Sequence, residues 1–256
     1  MNRDARRVLL PLLAFAGLLI VWQASTTVFA IPPYLLPSPI SIVKAGQKLG
    51  WALPHNALAT LTTIGLGFLL AVLVGVPLGL LVSLSPVVAE AVYPLLIFAH
   101  AIPVIAIAPV IVVVFGTDLT ARLIIVVLIA FFPIMVSTAS GILDTPKAML
   151  ELAEATGASR WTTLRTVRLP HAVAFLFSGL RIGVTVAVVG AVVSEFVSSD
   201  QGLGYLIVSA TSHFDVPAAM VSVILLALLS VALYAAVGLA QDLFFPWAKQ
   251  AKTDDA

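Results

Sequence analysis

Cysteine is missing from all 256 residues, which excludes disulfides, thiolate metal sites and cysteine nucleophiles together. Charge is scarce. Asp, Glu, Lys and Arg make up 10% of the chain, against about 25% in a typical soluble domain, so the chain cannot cover a water-facing surface in the ordinary way. The net charge of +1 offers no general attraction for nucleic acid, and no nucleic-acid partner is expected. None of the five lysines (44, 48, 147, 249 and 252) follows a glycine. The usual P-loop needs Gly immediately before its phosphate-binding Lys, so ATP binding by that route is excluded. His55, His100, His171 and His213 are scattered, without HExxH or comparable spacing. Neither a metal nor another cofactor is expected. No paired carboxylates and no Ser-His-Asp set converge within one segment, so nothing marks the chain as an enzyme. No repeat of 20–50 residues is visible either.

What the chain has is hydrophobicity, at 61% of residues and in long runs. A helix needs about 20 apolar residues to cross a hydrocarbon core of roughly 30 Å. Six stretches qualify, at about 8–30, 57–82, 91–115, 121–142, 172–194 and 217–245. The first follows Arg3, Arg6 and Arg7 but is too long for a signal-peptide core, so it reads as a retained anchor. A proline-rich break, Ile31 to Pro39, leads into a short amphipathic helix over 40–51 with Lys44 and Lys48. Pro103, Pro109 and Pro133 fall inside the third and fourth spans and should kink them. In lipid such kinks persist only where neighbours satisfy the freed carbonyls, which favours a packed bundle. The expected architecture is an all-α bundle of six transmembrane helices forming a single domain over residues 1–256.

Lys and Arg placement orients the bundle. With a cytoplasmic N-terminus, the inside segments hold Arg3, Arg6, Arg7, Lys147, Arg160, Arg165, Arg168, Lys249 and Lys252. The outside segments hold Lys44, Lys48 and Arg122. Both termini and the segment 143–171 are therefore expected in the cytoplasm.

That segment, Asp144 to Pro170, is the longest hydrophilic stretch. Thr145 and Pro146 suit the start of a helix, and Gly157 suits its end, because glycine tolerates the left-handed C′ geometry. Ser159 can cap a second short helix, ending at Leu169-Pro170, with Trp161, Leu164 and Val167 on one face. Two short helices with apolar knobs and acids suit docking into another protein's groove.

Here the chain resembles a family. Permease subunits of binding-protein-dependent ABC importers carry a cytoplasmic Glu-Ala-Ala loop, with Gly six residues after the Glu and a hydrophobic-x-Leu-Pro ending. Glu151, Leu152, Ala153, Gly157, Val167, Leu169 and Pro170 stand at that spacing, Leu152 replacing the first Ala and Val167 the commoner Ile. Leu36-Pro-Ser-Pro39, Ala101-Ile-Pro103, Ala108-Pro109, Phe115-Gly116, Gly179-Leu-Arg181, Ser194-Glu195-Phe196 and Gly202 to Ile207 look like the nitrate/sulfonate/taurine-type subgroup. The resemblance implies a type I importer permease whose loop 143–171 holds the coupling helix. Glu151, Ala153, Glu154, Gly157, Val167, Leu169 and Pro170 would couple it to a separate ATPase subunit. It also implies an extracytoplasmic solute-binding protein, a second permease copy (a homodimer being expected), and import of a small polar or anionic solute. Vitamin precursors such as pyrimidines belong to the same range.

Within the spans, Arg181 lies about nine residues inside the fifth. An arginine near a helix centre costs roughly 2.5–3.5 kcal/mol, so it should face the bundle interior, a wet cavity or the cytoplasmic edge. Arg181 and Glu195, 14 residues further on at the expected outer mouth, are the candidates for translocation path or gate. Gly75…Gly79 and Gly179…Gly183 are GxxxG pairs, which allow close helix approach. A self-sufficient secondary carrier would need more intramembrane ionisable groups than this chain offers. An exporter would commonly carry its ATPase on the same chain.

Overall fold

The computed structural model describes residues 3–248, with side chains from residue 9 onward apart from 86, 92 and 99. Lys249 and Lys252, used above to orient the chain, lie outside the described residues. All regular structure among the described residues is helical: α1 (Arg3–Val28), α2 (Pro39–Leu49), α3 (Ala52–Leu84), α4 (Pro86–Ala101), α5 (Val104–Phe115), α6 (Leu119–Leu143), α7 (Lys147–Ala155), α8 (Arg160–Thr163), a π turn (Leu164–Arg168), α9 (Leu169–Val197), α10 (Leu203–Ser212), α11 (Val216–Phe244) and a 3₁₀ turn (Pro246–Ala248).

Among the described residues, five helices are long and apolar enough to cross a membrane: Leu9–Val28, α3, α6, the continuous run Arg160–Val197, and α11. The third expected span, 91–115, is divided into α4 and α5. At roughly 1.5 Å per residue neither half crosses a 30 Å core alone. Pro103 causes the division: it supplies no N–H and biases Ile102 away from helical geometry. Helices α5 and α6 continue through Pro109 and Pro133, so of the three expected kink sites only Pro103 ends a helix.

The amphipathic helix expected over 40–51 is α2. Ser38 caps it, its hydroxyl accepting from the Ser41 N–H at 3.2 Å, and Pro39 opens the first turn.

The chain falls into two compact units, residues 1–59 with 201–226, and residues 60–200 with 227–256. In the first, α2 meets α11 where Gly46 lies against Val221. Asn56 Oδ1 accepts from the Gly202 N–H at 2.6 Å and pins the turn into α10. Gly202 has φ +114°, a conformation closed to most side chains.

The second unit is organised around α6. Ile125, Ile134, Met135 and Ile142 on this helix are fully buried. Helix α3 runs parallel to α6, with Gly67 against Val126, Gly75 against Phe131 and Ile134, and Gly79 against Met135 and Thr138. Helix α9 runs antiparallel, with Gly179 against Ser137, Gly183 against Ile134 and Gly190 against Val126. A Cβ at Gly75 or Gly79 would stand 2.7 or 2.6 Å from a backbone oxygen of α6. Lipid tails are as apolar as leucine, so close approach through small residues, rather than apolar burial, holds such helices together. Both GxxxG pairs therefore pack on the same partner, and the central helix of this unit is α6.

Candidate functional site

The hydrophilic segment folds as a helix, a tight turn and a second helix that does not stop. Helix α7 begins one residue later than expected. Pro146 takes the cap position, and Thr145, 4% exposed, turns its hydroxyl back to donate to the Ile142 carbonyl at 2.9 Å.

Its far end is a complete Schellman turn. Gly157 has φ +71°, its N–H donates to Glu154 O at 2.9 Å, and the Ala158 N–H donates to Ala153 O at 2.9 Å. Ser159 then caps α8, accepting from the Thr162 N–H at 3.1 Å. Two helices are thus set at a fixed angle by one glycine and one serine.

Leu169-Pro170 does not end the second helix. The backbone stays helical through Arg168, Leu169 and on into α9, because the chain widens into a π turn over Leu164–Arg168 in which the Leu169 N–H donates to Leu164 O. The wide turn accommodates a proline whose ring would otherwise meet the carbonyl of Thr166.

It also undoes the expected shared face. Leu164 is buried against Ile142 and Ala172, with Leu80 and Leu169 packed around them, while Trp161 is 68% exposed. Leu164 is the anchor, and Arg160–Val197 is one rod from the segment into the bundle.

Around this anchor the family-type positions separate into four places. Ala153, Val167 and Pro170 line a groove of about 780 Å³ that Trp247 also lines. Glu154 lies in a neighbouring depression with Arg160 and Arg168. Glu151 is exposed on α7 beside Leu152, and Met149 and Leu152 are exposed apolar side chains on the same short helix. Leu169 packs inward against the anchor. The resulting surface is apolar at its centre and charged at one side. Nothing in it has the geometry of a catalytic set, and the described residues hold no group of three or more His, Asp or Glu that would bind a metal.

Arg181 faces α11. Its Nη2 donates to Gln241 Oε1 at 2.9 Å, and its guanidinium carbon lies 5.6 Å from the Tyr234 ring centroid. Glu195 is 1% exposed, and its Oε2 accepts from the Thr60 hydroxyl at 3.0 Å, so it is not a solvated helix end.

The sequence reading missed Arg122, which counted as a charge flanking the bundle. It is 8% exposed, and its Nε is buried without a hydrogen-bond partner among the described residues. Val126, one turn further along, meets both Gly67 and Gly190, so Arg122 stands at the α3–α6–α9 junction. Counting about 1.5 Å per residue outward from that contact puts Arg122, Thr63 and Glu195 within roughly 2 Å of one level. No spacing on a single helix reveals that shared level.

Residues 67–250, well over half of the chain, match the family described as "Binding-protein-dependent transport system inner membrane component". The formylaminopyrimidine transport permease protein ThiX of Halalkalibacterium halodurans is 36% identical over 241 residues, 94% of this chain and 96% of that protein. The riboflavin transport system permease protein RibX of Chloroflexus aurantiacus is 39% identical over 232 residues, 90% and 87% of the two chains. A chain of the MetNI methionine ABC transporter, solved in inward-facing conformations, superimposes with a TM-score of 0.66 at 20% identity. That likeness covers 79% of this chain and 99% of the other, and it concerns the fold.

Proposed function

The chain belongs to the binding-protein-dependent transport system inner membrane component family, and on that premise we propose how it works as the permease subunit of an ABC importer. Energy comes from ATP hydrolysis on a separate subunit. Solute comes from an extracytoplasmic binding protein, and the path lies in a pair of permease copies, with a homodimer as the expected form. Both termini and the coupling segment face the cytoplasm. The solute is small and polar or anionic, of the nitrate, sulfonate, taurine or vitamin-precursor type; the similarity to permeases named for a formylaminopyrimidine and for riboflavin supports the vitamin-related end of that range.

One observation carries the reading: the Schellman turn at Gly157 fixes α7 against a rod that runs without interruption into the packed bundle. A rigid knob joined to a rigid lever is what transmission requires. Closure of the ATPase pair on α7, with Glu151, Leu152 and Ala153 at the contact, displaces the turn. Val167, Leu169 and Pro170 carry that displacement into α9, and the glycine-lined contacts with α6 let the helices shift while remaining packed. Arg181 and Glu195 have different parts: Arg181 acts at the cytoplasmic end, and Glu195 belongs to the buried polar level near the outer mouth, where a gate would act.

The test is affinity purification of the tagged chain from its native membrane in mild detergent, followed by uptake assays in vesicles. A P-loop ATPase that co-purifies, supports ATP-dependent uptake and is lost from a Glu151→Lys, Gly157→Val double variant supports the reading. A chain that purifies alone and transports without ATP overturns it in favour of a self-sufficient carrier or channel.

A further inference from the structure

Beyond the last long helix the chain is not left loose. The turn Pro246–Ala248 is tied to the bundle by a two-step relay. Arg181 on α9 donates through Nη2 to Gln241 Oε1 at 2.9 Å. Gln241, 6% exposed, donates through Nε2 to the Ala248 carbonyl at 3.0 Å. The relay uses both ends of one amide, so no isosteric side chain lacking either function can replace it.

Its surroundings are shaped for it. Tyr234 presents its ring to the guanidinium at 5.6 Å, and Gly238, one turn before Gln241, leaves the space that Arg181 occupies: a Cβ there would stand 3.1 Å from Nη2. Aromatic contacts run alongside. Phe177, one turn before Arg181 on α9, meets Phe245 at 5.5 Å between centroids, and Phe245 meets Trp247 at 5.4 Å. Trp247 lines the groove together with Ala153 and Val167.

We propose that Arg181 is a positioning residue: acting through Gln241, it holds the C-terminal turn so that Trp247 forms a fixed second wall of the coupling groove. This replaces the expected role of Arg181 in the solute path. Its guanidinium is engaged by α11, and the next atoms along the relay lead towards the ATPase side. The coupling surface then has two attachments to the bundle, one through the rod Arg160–Val197 and one through α11, and both converge on α9 at Arg181. The inference rests on the reading of this groove as the coupling surface.

The test uses the full complex with its ATPase and binding protein in proteoliposomes and compares the wild type with Arg181→Ala, Gln241→Ala and Gln241→Glu. Two quantities are read: solute transported per ATP hydrolysed, and amide hydrogen exchange of the peptide covering the C-terminal turn. Glutamate at 241 still accepts from Arg181 but has no N–H for Ala248, so it separates the two steps. The expected result is that Arg181→Ala and Gln241→Glu, which each break one bond of the relay, lower the coupling ratio about threefold, the size of one lost intramembrane hydrogen bond, and that Gln241→Ala, which breaks both, lowers it further, all with faster exchange in the turn. Should Arg181→Ala fail to assemble, the nearly isosteric Gln241→Glu carries the test alone. Wild-type ratio and exchange in both Gln241 variants overturn the proposal, all the more if Arg181→Ala alone impairs uptake. A wild-type complex that shows no ATP-driven uptake refutes the importer reading instead, so the two failures are distinct.

Discussion

A side chain at Gly157 tests backbone strain separately from crowding. The residue has φ +71°, and a Cβ placed there meets nothing within 4 Å, so the only penalty is that of left-handed geometry. For an L-residue that penalty is roughly 1–2 kcal/mol. Asparagine bears it more easily than alanine, and a β-branched residue is a genuine outlier there. Since 1.4 kcal/mol is a factor of ten in an equilibrium, Gly157→Ala should weaken the closed Schellman turn about tenfold relative to its opened forms. Gly157→Asn should weaken it less and Gly157→Val more. The assay is the ratio of solute imported to ATP hydrolysed in proteoliposomes, with the amount of inserted protein measured in parallel. Coupling should fall in the order Gly, Asn, Ala, Val while insertion stays constant, because the turn is exposed and no packed neighbour is disturbed. Two results refute the reasoning: a Gly157→Val complex with the wild-type ratio, or an order that follows side-chain size, in which asparagine does worse than alanine.

Other consequences follow from the same geometry. Gly79→Ala pushes a methyl to 2.6 Å from the Met135 carbonyl and should cost about 1–3 kcal/mol, read as a lower thermal midpoint in detergent; Gly65→Ala, with nothing within 4 Å, should be neutral or slightly stabilising. Thr60→Val removes the hydroxyl that bonds Glu195 and should cost about 0.6 kcal/mol, with an upper bound near 1.7; Glu195→Gln, which keeps an acceptor for Thr60, should cost less in the same melt. The chain has no cysteine, so single cysteines report sidedness directly. Lys48→Cys should react with a membrane-impermeant maleimide in spheroplasts, and Ser159→Cys only after permeabilisation; the reverse pattern would invert the proposed orientation.

How much of this was legible in the sequence depends on the range of the forces involved. Helices set by long apolar runs were readable within a few residues, as with α6, expected at 121–142 and found as Leu119–Leu143. Two caps were readable too, because Gly157 and Ser159 bond backbone groups within a few residues of themselves, whereas Thr145 yields its expected cap position to Pro146. Pro103 and Pro170 were not separable from sequence. Both look like helix breakers, yet one divides a span and the other rides through on a π turn, because Leu164 and Leu169 are packed around Ile142 and Ala172 and hold the backbone in line. Tertiary anchoring decided between them. The placement of Arg122 at the level of Thr63 and Glu195, and of Arg181 with Gln241, needs the register of three or four helices against one another. That register is set by glycines whose partners lie some 42 to 64 residues away.

A π turn is an α-helix carrying one residue too many. In Leu164–Arg168 that residue and Pro170 belong together, since the widened turn is what admits the ring. A chain that lacked Pro170 and was therefore one residue shorter would close into continuous α-helix, with Gly157 upstream and Gly179, Gly183 and Gly190 downstream all keeping their faces. A single deletion in the ordinary α-helical part, between Pro170 and Gly190, would instead turn the residues beyond it by about 100° and carry the remaining glycines off α6. Chain length itself is thus constrained along this rod, and the stretch where a gap keeps the register of the glycines is the π turn and its proline.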